Sequence, residues 1–315
     1  MQQRLTSALA VLAMLLTILS LCGCTGAPEG TRGETADSLT VTDALGREVT
    51  VQKKPERVAA LIGSFADVWV LSGGSLCAAA EDAFEDFGIE QGSAVNLGGA
   101  HSPSLEALIS SRPELVLASA STASNVDMLE PLSAMGITVL YFDVDSFYDY
   151  LDMLAVCTSI TGRADLYEKH GTAVLAEVER IKAAAEGRAQ TVLLLRASAT
   201  SVKAKGSRGT VLGEMLADLG CINIADNDKN LLDSLSAESI IRQDPCCVFV
   251  VSMGGNTAAA EETVAQLLAP GTPLGGISAV RCGRVYVMDK ALFNLKPNER
   301  WAEAYGILYE ALFEE

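Results

Sequence analysis

The sequence predicts an α/β protein of two similar lobes, each a mainly parallel sheet flanked by helices, joined by a long linker helix. Three observations support this fold: a segment that occurs twice, strand-like runs that alternate with helical segments, and a proline-free helical stretch in mid-chain. A length of 315 residues fits two domains of ordinary size. With 49% apolar and 20% charged residues, the composition is that of a globular protein.

One segment recurs with an offset of 132 residues. Residues 104–116 read SLEALISSRPELV and residues 236–248 read SAESIIRQDPCCV, so Ser, Glu, Ile, Pro and Val coincide. In each copy the serine can cap a helix, the acid lies in the first turn and the proline ends the helix. An apolar strand follows each copy. A repeat of this length indicates two homologous domains and not a solenoid.

Strand-like runs and one long helical stretch define the organisation of the chain. Residues 57–62 and 191–195 are continuous β-prone runs, typical of strands buried on both faces of a parallel sheet. Residues 146–185 lack proline and carry apolar residues at helical spacing, which predicts the linker helix. Gly162 and Gly171 could interrupt it, and two helices belonging to one lobe are the alternative. The predicted boundaries are an N-terminal lobe over 39–145, a linker helix over 146–185 and a C-terminal lobe over 186–315.

The N-terminus is typical of an exported protein. Arg4 precedes an uncharged run from Leu5 to Cys24, as in the core of a signal peptide. Gly23 stands before Cys24 as in a bacterial lipobox, which predicts a signal peptide over 1–23 and lipidation of Cys24. Residues 24–38 would then be a flexible tether at the membrane. An uncleaved helical anchor is the alternative, and both place the body outside the cytoplasm on the membrane.

Charge and cysteine usage narrow the classes of function. The formal net charge of −17 argues against nucleic acid as a partner, because phosphate binding needs a basic surface. An acidic surface suits a partner that presents arginine. We expect buried free thiols, because the cysteine spacing is irregular and contains no C-x-x-C pair. The cysteines after the signal peptide core are Cys77, Cys157, Cys221, Cys246, Cys247 and Cys282.

An ordered set of short motifs resembles a known family. The motifs are Thr42-Asp-Ala-Leu-Gly-Arg-Glu-Val, Pro55-Glu-Arg-Val, Ser104-Leu-Glu-x-Leu, Arg112-Pro-Glu-Leu-Val and Ser236-x-Glu-x-Ile-Ile-x-x-Asp-Pro. From about Ser38 to the C-terminus, the chain resembles the periplasmic binding proteins for iron siderophores, haem and cobalamin. The resemblance implies the class III substrate-binding fold, with a metal chelate bound in the cleft between the lobes. It also implies delivery of that chelate to the permease dimer of an ABC importer.

The resemblance assigns Glu106 and Glu238 to permease docking. Each acid follows the capping serine of the repeated segment. Exposed carboxylates at equivalent sites on two lobes can bind arginines of a two-fold permease through bidentate pairs. The alternative is that both acids only stabilise helix N-termini, an effect of about 0.3–1 kcal/mol each.

Ligand contacts are expected in the loops at the carboxyl ends of the strands. A basic cluster within residues 196–208 favours an anionic ligand, although solvated loop charges are the alternative. His101 could ligate a haem iron, with Met253 or another side chain opposite, or could simply be solvated. The ligand-binding candidates are Ser64, Phe65, Trp69, His101, Ser102, Ser121, Thr122, Arg196, Lys203, Lys205, Arg208, Phe293, Asn294, Arg300 and Trp301.

An extracellular enzyme and a binding protein for a bare metal ion are the rival functions. Hydrolase motifs such as G-x-S-x-G and H-E-x-x-H are missing from the sequence. A bare-metal site would need several histidines, and the chain has two, His101 and His170. We therefore expect a monomeric binding protein that is not an enzyme and has no intrinsic cofactor. The expected order of ligands is ferric siderophore, then haem, then cobalamin.

Overall fold

The computed structural model describes residues 31–253 and 257–314. The predicted signal peptide and Cys24 lie outside the described residues. Within the described part, two mainly parallel sheets with flanking helices form two lobes, which confirms the predicted α/β lobes.

The N-terminal lobe is built on a five-stranded parallel sheet with the order β6-β5-β4-β7-β8. The apolar run of β7 is buried along its whole length, as expected for a central strand covered on both faces. The strands are β4 (Val58–Ala60), β5 (Leu76–Ala79), β6 (Val95–Asn96), β7 (Leu115–Ser119) and β8 (Thr138–Phe142). The helices are α1 (Gly63–Leu71), α2 (Glu81–Asp86), α3 (Leu105–Ser110), α4 (Ala123–Val126) and α5 (Leu129–Ala134).

A three-stranded antiparallel sheet precedes this lobe. It consists of β1 (Thr31–Glu34), β2 (Ser38–Thr42) and β3 (Glu48–Gln52). β1 occupies part of the segment expected to be a flexible tether over 24–38. The tether expectation is therefore wrong for residues 31–34, because the free edge of β2 offers backbone partners, with Thr31 opposite Val41.

The helical stretch between the lobes is not the single helix predicted over 146–185. Ser146 and Asp149 form a capping box that starts α6 (Phe147–Thr161). Gly162 then ends α6 in the left-handed conformation, with φ of 75°. The connection continues as α7 (Ala164–Tyr167), one π turn (Glu168–Thr172) and α8 (Ala173–Ala185). α6 packs on α1 and β2 of the N-terminal lobe, whereas α8 packs on the C-terminal helix α15 (Trp301–Phe313), so neither predicted arrangement is found.

The C-terminal lobe has a five-stranded sheet in which β11 and β10 both pair with β9, followed by β12 and β13. All pairings are parallel except that of β10 with β9. The strands are β9 (Thr191–Ala197), β10 (Val202–Lys205), β11 (Ile222–Asn223), β12 (Cys247–Ser252) and β13 (Val285–Met288). The helices are α9 (Val211–Asp218), α10 (Lys229–Ser234), α11 (Ala237–Gln243), α12 (Thr257–Leu267), α13 (Ser278–Arg281) and α14 (Lys290–Phe293), with 3₁₀ turns Pro273–Gly276 and Asn298–Arg300.

The repeat seen in the sequence is a repeat of backbone structure. Ser104 and Ser236 both cap a helix with their side chains. The residues eight positions later, Arg112 and Asp244, both have left-handed backbone angles, with φ of 49° and 41°. A buried strand begins three residues after each of them. The repeat therefore predicted the equivalence of the two lobes correctly.

The six cysteines of the described part are all unpaired. Cys157 and Cys247 are buried, as expected for core thiols. Cys282 is exposed because it follows the short helix α13 at the surface, so the expectation of burial is wrong for this residue.

One hydrophobic core extends through both lobes. It includes β4 and β7 residues such as Val58 and Leu117, and β9 and β12 residues such as Leu194 and Phe249. Phe147 of α6 connects the two halves, with its ring centroid 5.7 Å from that of Trp301. The lobes are therefore joined by packed side chains as well as by the covalent connection.

We predict that Phe147→Ala lowers the free energy of unfolding by about 3–5 kcal/mol, because it opens a cavity where the two halves of the core meet. Urea unfolding followed by circular dichroism measures this change. Val70→Ala is the matched control, since Val70 is 42% exposed and its truncation should have little effect. Equal losses in the two variants would contradict the role assigned to Phe147.

Candidate functional site

The carboxyl ends of the strands of each sheet carry the loops in which a ligand site was predicted. In the N-terminal lobe, the loops after β6 and β7 are held together by a residue that the sequence did not single out. Asn125 is fully buried; its Nδ2 donates to the Ala100 carbonyl oxygen at 3.1 Å and its Oδ1 accepts from the Ser119 N–H at 3.1 Å. This amide fixes the position of one loop relative to the other.

The polar candidates of these two loops remain accessible. His101, Ser102 and Ser121 are exposed, and Thr122 is half-buried. The Ser121 hydroxyl lies 3.0 Å from that of Ser119. These hydroxyls and the imidazole can therefore reach a ligand that rests on the edge of the N-terminal sheet.

The aromatic candidates of the N-terminal lobe are part of its core. Phe65 and Trp69 are 3% and 1% exposed, and Ser64 is buried beside them. The Trp69 Nε1–H donates to the Ser75 carbonyl oxygen at 2.9 Å. α1 begins directly after β4 and turns its apolar face to the sheet, so these three side chains are not available to a ligand in this conformation.

The ligand-binding candidates near the C-terminus also divide into buried and accessible side chains. Phe293 and Trp301 are buried in the core, which contradicts their expected contact with a ligand. Asn294 is half-buried. Arg300 is exposed and forms an ion pair with Glu303 at 2.7 Å, so its charge is directed along the helix start. Helical sequence spacing alone could not show which side of this helix packs inward.

Three cations lie on one face of the C-terminal sheet, and we call Arg196, Lys203 and Lys205 the basic face. Arg196 of β9 stands directly opposite Lys203 of the antiparallel strand β10, and Lys205 stands opposite Leu194. Residues two apart in a strand point to the same side, so all three share the face of Leu194. That face carries the core which continues into the N-terminal lobe.

The basic face is electrostatically unfavourable without an anion. Like charges directly opposite each other on paired strands destabilise the pair. Burial lowers the pKa of Arg196, and burial with the charges of Arg196 and Lys203 lowers the pKa of Lys205. Among the described residues, the buried Nε of Arg196 has no hydrogen-bond partner. Arg208 is exposed in the loop after β10 and is not part of this face.

The two docking candidates occupy equivalent positions. Glu106 and Glu238 are exposed in the first turns of α3 and α11. The capping serines Ser104 and Ser236 accept N–H groups at 3.2 and 3.3 Å. Within residues 31–253 and 257–314, neither glutamate carboxylate has a hydrogen bond or an ion pair, so both are available to a partner.

A cavity of about 820 Å³ lies in the N-terminal lobe and not between the lobes. Its walls include β2, β8 and one side of α6. It is lined by apolar residues such as Val41 and Val156 and by acidic residues such as Asp43 and Asp152. Asp143, which follows β8, also lines the cavity, so the cavity reaches one loop at the carboxyl edge of the N-terminal sheet.

Comparison with known proteins agrees with this architecture. The model of the family described as periplasmic binding protein matches residues 58–292, about three quarters of the chain. The uncharacterised ABC transporter substrate-binding lipoprotein YvrC of Bacillus subtilis is 25% identical over 314 residues, covering 96% of this chain and 95% of that protein. No described helix of the present chain is long and apolar enough to cross a membrane.

Solved structures share the fold at low sequence identity. The siderophore-binding protein BauB, bound to ferric iron and two acinetobactin molecules, has a TM-score of 0.73 and 18% identity, with 89% of this chain and all of that chain covered. The vitamin B12-binding protein BtuF of Vibrio cholerae has a TM-score of 0.66 and 15% identity, with 82% and 96% covered. Taken with the match over residues 58–292, the chain belongs to the periplasmic binding protein family of ABC transporter substrate-binding proteins.

Proposed function

We propose that this protein captures an anionic ferric chelate in the cleft between its lobes and delivers it to the permease of an ABC importer. The observation that carries the choice of ligand is the basic face. It places three cations on one side of two paired strands, and its buried guanidinium nitrogen has no hydrogen-bond partner within residues 31–253 and 257–314. An anionic ligand would remove the repulsion among these cations and supply acceptors for Arg196. The structural relative BauB binds a complex of ferric iron with a siderophore.

The basic face also has the opposite sign of charge to the protein as a whole. The chain carries 40 acidic against 23 basic residues, so a cluster of three cations is a local reversal of sign. Such a reversal focuses an anionic ligand at one point of an otherwise repulsive surface. A neutral ligand such as cobalamin would gain nothing from it, and haem would use its propionates.

Haem is the second candidate ligand because of one side chain. His101 is exposed in the loop between β6 and α3, where an imidazole could approach a ligand on the edge of the sheet. Haem bound in this way would need an intact His101, whereas a siderophore complex, whose iron is already saturated by the chelator, would not.

Docking to the permease is assigned to Glu106 and Glu238. Both carboxylates are exposed at equivalent sites of the two repeats, which fits a permease with two equivalent arginine-bearing surfaces. Lipidation of Cys24 after removal of residues 1–23 would hold the protein at the outer face of the membrane, near that permease. We expect one copy of the protein on each permease dimer and no enzymatic step in the transfer.

We predict that Arg196→Gln weakens binding of a triply anionic ferric tricatecholate at least about tenfold, since a charge-assisted hydrogen bond contributes about 1.5–3 kcal/mol. The protein from Thr25 to Glu315 is titrated by ultrafiltration with optical detection of the chelate. This readout is preferable to tryptophan fluorescence, because Trp69 and Trp301 are buried in the core. Arg300→Gln is the matched control, because Arg300 is exposed and paired with Glu303.

The ligand panel for this titration also contains a cationic ferric hydroxamate, haemin, cobalamin and ferric chloride. Preference for the anionic chelate is the expected result. Equal affinity for the cationic hydroxamate, or binding of cobalamin alone, would contradict the role of the basic face. A haemin complex whose Soret band shifts, and loses that shift in His101→Ala, would favour haem instead.

We predict that Glu106→Gln and Glu238→Gln each weaken binding to the permease at least about tenfold and leave chelate affinity unchanged, because each removes one carboxylate–arginine pair. Permease in lipid nanodiscs and surface plasmon resonance provide the measurement. Glu130→Gln is the control, since Glu130 is another exposed acid in a first helical turn. Unchanged permease binding in both single variants and in the double variant would show that the two acids only stabilise their helices.

A further inference from the structure

The segment 290–301, which we call the crossing segment, leaves the C-terminal sheet after β13 and makes polar contacts with the rest of the molecule. The Lys290 Nζ lies 3.1 Å from Asp86 Oδ1 of α2, and the Lys296 Nζ lies 3.2 Å from Asp145 Oδ1. Glu299 Oε2 lies 2.6 Å from His170 Nδ1 in the π turn of the connection. All three contacts have at least one partly exposed partner, so each contributes little to the position of the lobes.

Asn298 makes the buried contact of the crossing segment. Its side chain is 1% exposed, and its Nδ2 donates to the Ser64 carbonyl oxygen at 3.0 Å and to Asp67 Oδ2 at 2.7 Å. Both acceptors belong to α1 of the N-terminal lobe. Because buried hydrogen bonds are shielded from water, this pair of contacts determines the orientation of the lobes more strongly than the exposed ion pairs.

The backbone at Asn298 supports the same conclusion. Asn298 has φ of 50°, in the left-handed region that costs energy for a residue with a side chain. Asparagine tolerates this conformation better than most residues, and the turn brings its amide to α1. The Oδ1 of Asn298 has no hydrogen-bond partner among the described residues. The backbone of Asn298 is strained and, among the described residues, its Oδ1 has no hydrogen-bond partner. Because both features cost energy at a buried position, we infer that Asn298 is held there by its contact with the N-terminal lobe.

Asp67 is an unusual acceptor for this contact. Burial, together with the nearby charge of Glu299, raises the pKa of Asp67 to about 6, although the hydrogen bond from Asn298 acts in the opposite direction. His170 and Tyr150 are the other titratable groups at this place, and the Tyr150 hydroxyl donates to the His170 carbonyl oxygen. A buried carboxylate is disfavoured unless it becomes hydrated, and separation of the lobes would hydrate it.

We propose that Asn298 is the residue that positions the two lobes, and that the charge on Asp67 sets how firmly they are held. With Asp67 neutral, the contact is closed and the walls of the cleft keep one orientation. With Asp67 ionised, the buried charge favours a more open and hydrated contact, so the lobes sample a wider range of orientations. This control of lobe orientation does not depend on the identity of the ligand, and it can be measured without a ligand.

The experiment measures the distance between the lobes by double electron–electron resonance. Spin labels are attached through genetically encoded amino acids at Ser110 and Gln243, which are exposed residues of the two lobes. Asn298→Gly keeps the left-handed backbone accessible but removes the amide, and it is expected to broaden the distance distribution to at least about twice the wild-type width. Lys290→Ala removes an exposed contact of the same segment and is expected to leave the width unchanged.

The pH dependence of the interlobe distance distribution tests whether the charge on Asp67 controls the orientation of the lobes or Asp67 is only a structural residue. As the pH falls from about 7.5 to about 5, the wild-type distribution should narrow, because Asp67 takes up a proton. Asp67→Asn cannot ionise and should be narrow at both values. An unchanged width in Asn298→Gly, equal broadening in Lys290→Ala, or a persisting pH response in Asp67→Asn would each overturn the proposal. Asp67→Asn decides the question by itself if Asn298→Gly does not fold.

We predict that the protonation of Asp67 also makes the stability of the protein depend on pH. The native pKa of Asp67 lies above its ordinary value of 3.8, so wild-type stability from this group is complete below about pH 4 and is lost as the pH rises through about 6. The urea midpoint of Asp67→Asn should therefore exceed that of wild type by an amount that grows between pH 4 and 7. A difference that is independent of pH would contradict the assigned burial of the carboxylate.

Discussion

The packing of Phe147 against Trp301 and Tyr305 is the contact on which the arrangement of the two lobes depends. The ring centroid of Phe147 lies 5.7 Å from that of Trp301 and 6.4 Å from that of Tyr305. Interfaces between domains of one chain are ordinarily polar and permit relative motion. Here the two lobes share one core, so rearrangement of the lobes has to occur around a packed centre and is limited to small angles.

This constraint explains why the polar residues of the crossing segment matter. A shared apolar core resists separation but does not by itself define one orientation, because apolar packing has little directionality. The amide of Asn298 adds direction, since its hydrogen bonds to Ser64 and Asp67 require one geometry. In the proposed function, the orientation of the two cleft walls is then set by residues outside the loops assigned to the ligand, and those loops are free to vary with the ligand.

The sequence predicted the parts of the structure that follow from local patterns. The serine caps, the prolines and the buried strands of the two repeats recur in equivalent structure because each depends on a few neighbouring residues. The predicted start of the helical stretch at residue 146 also agrees with the structure, in which Ser146 and Asp149 form the capping box that begins α6. Gly162 was noticed as a possible interruption, but apolar spacing continues across it, so periodicity alone favoured one helix.

The site was predicted less well, for a physical reason. Trp69 was chosen because it follows the first strand, and Trp301 because aromatic rings suit flat ligands. Both rings suit the core equally well, and tertiary packing decides between the core and the ligand. The buried amides Asn125 and Asn298 were missed because their roles depend on partners far away along the chain, such as Asp67. By contrast, the clustering of Arg196, Lys203 and Lys205 was visible in the sequence because a short hairpin brings neighbouring residues together.

The repeat also connects the proposed ligand capture with the proposed docking. In each lobe, the helix that bears the candidate docking glutamate comes just before a buried strand and runs in the opposite direction to the strands. Its first turn therefore lies at the carboxyl edge of the sheet. Four residues after β6 the chain reaches Ala100, and His101 and Ser102 follow directly before the cap of α3. The loops assigned to the ligand and the glutamates assigned to the permease therefore share one edge of the molecule.

A permease that binds Glu106 and Glu238 together would cover the opening of the cleft, and any change in lobe orientation would alter the separation of the two carboxylates. In the proposed function, lobe orientation is thus a quantity through which the ligand, the permease and the charge on Asp67 influence one another.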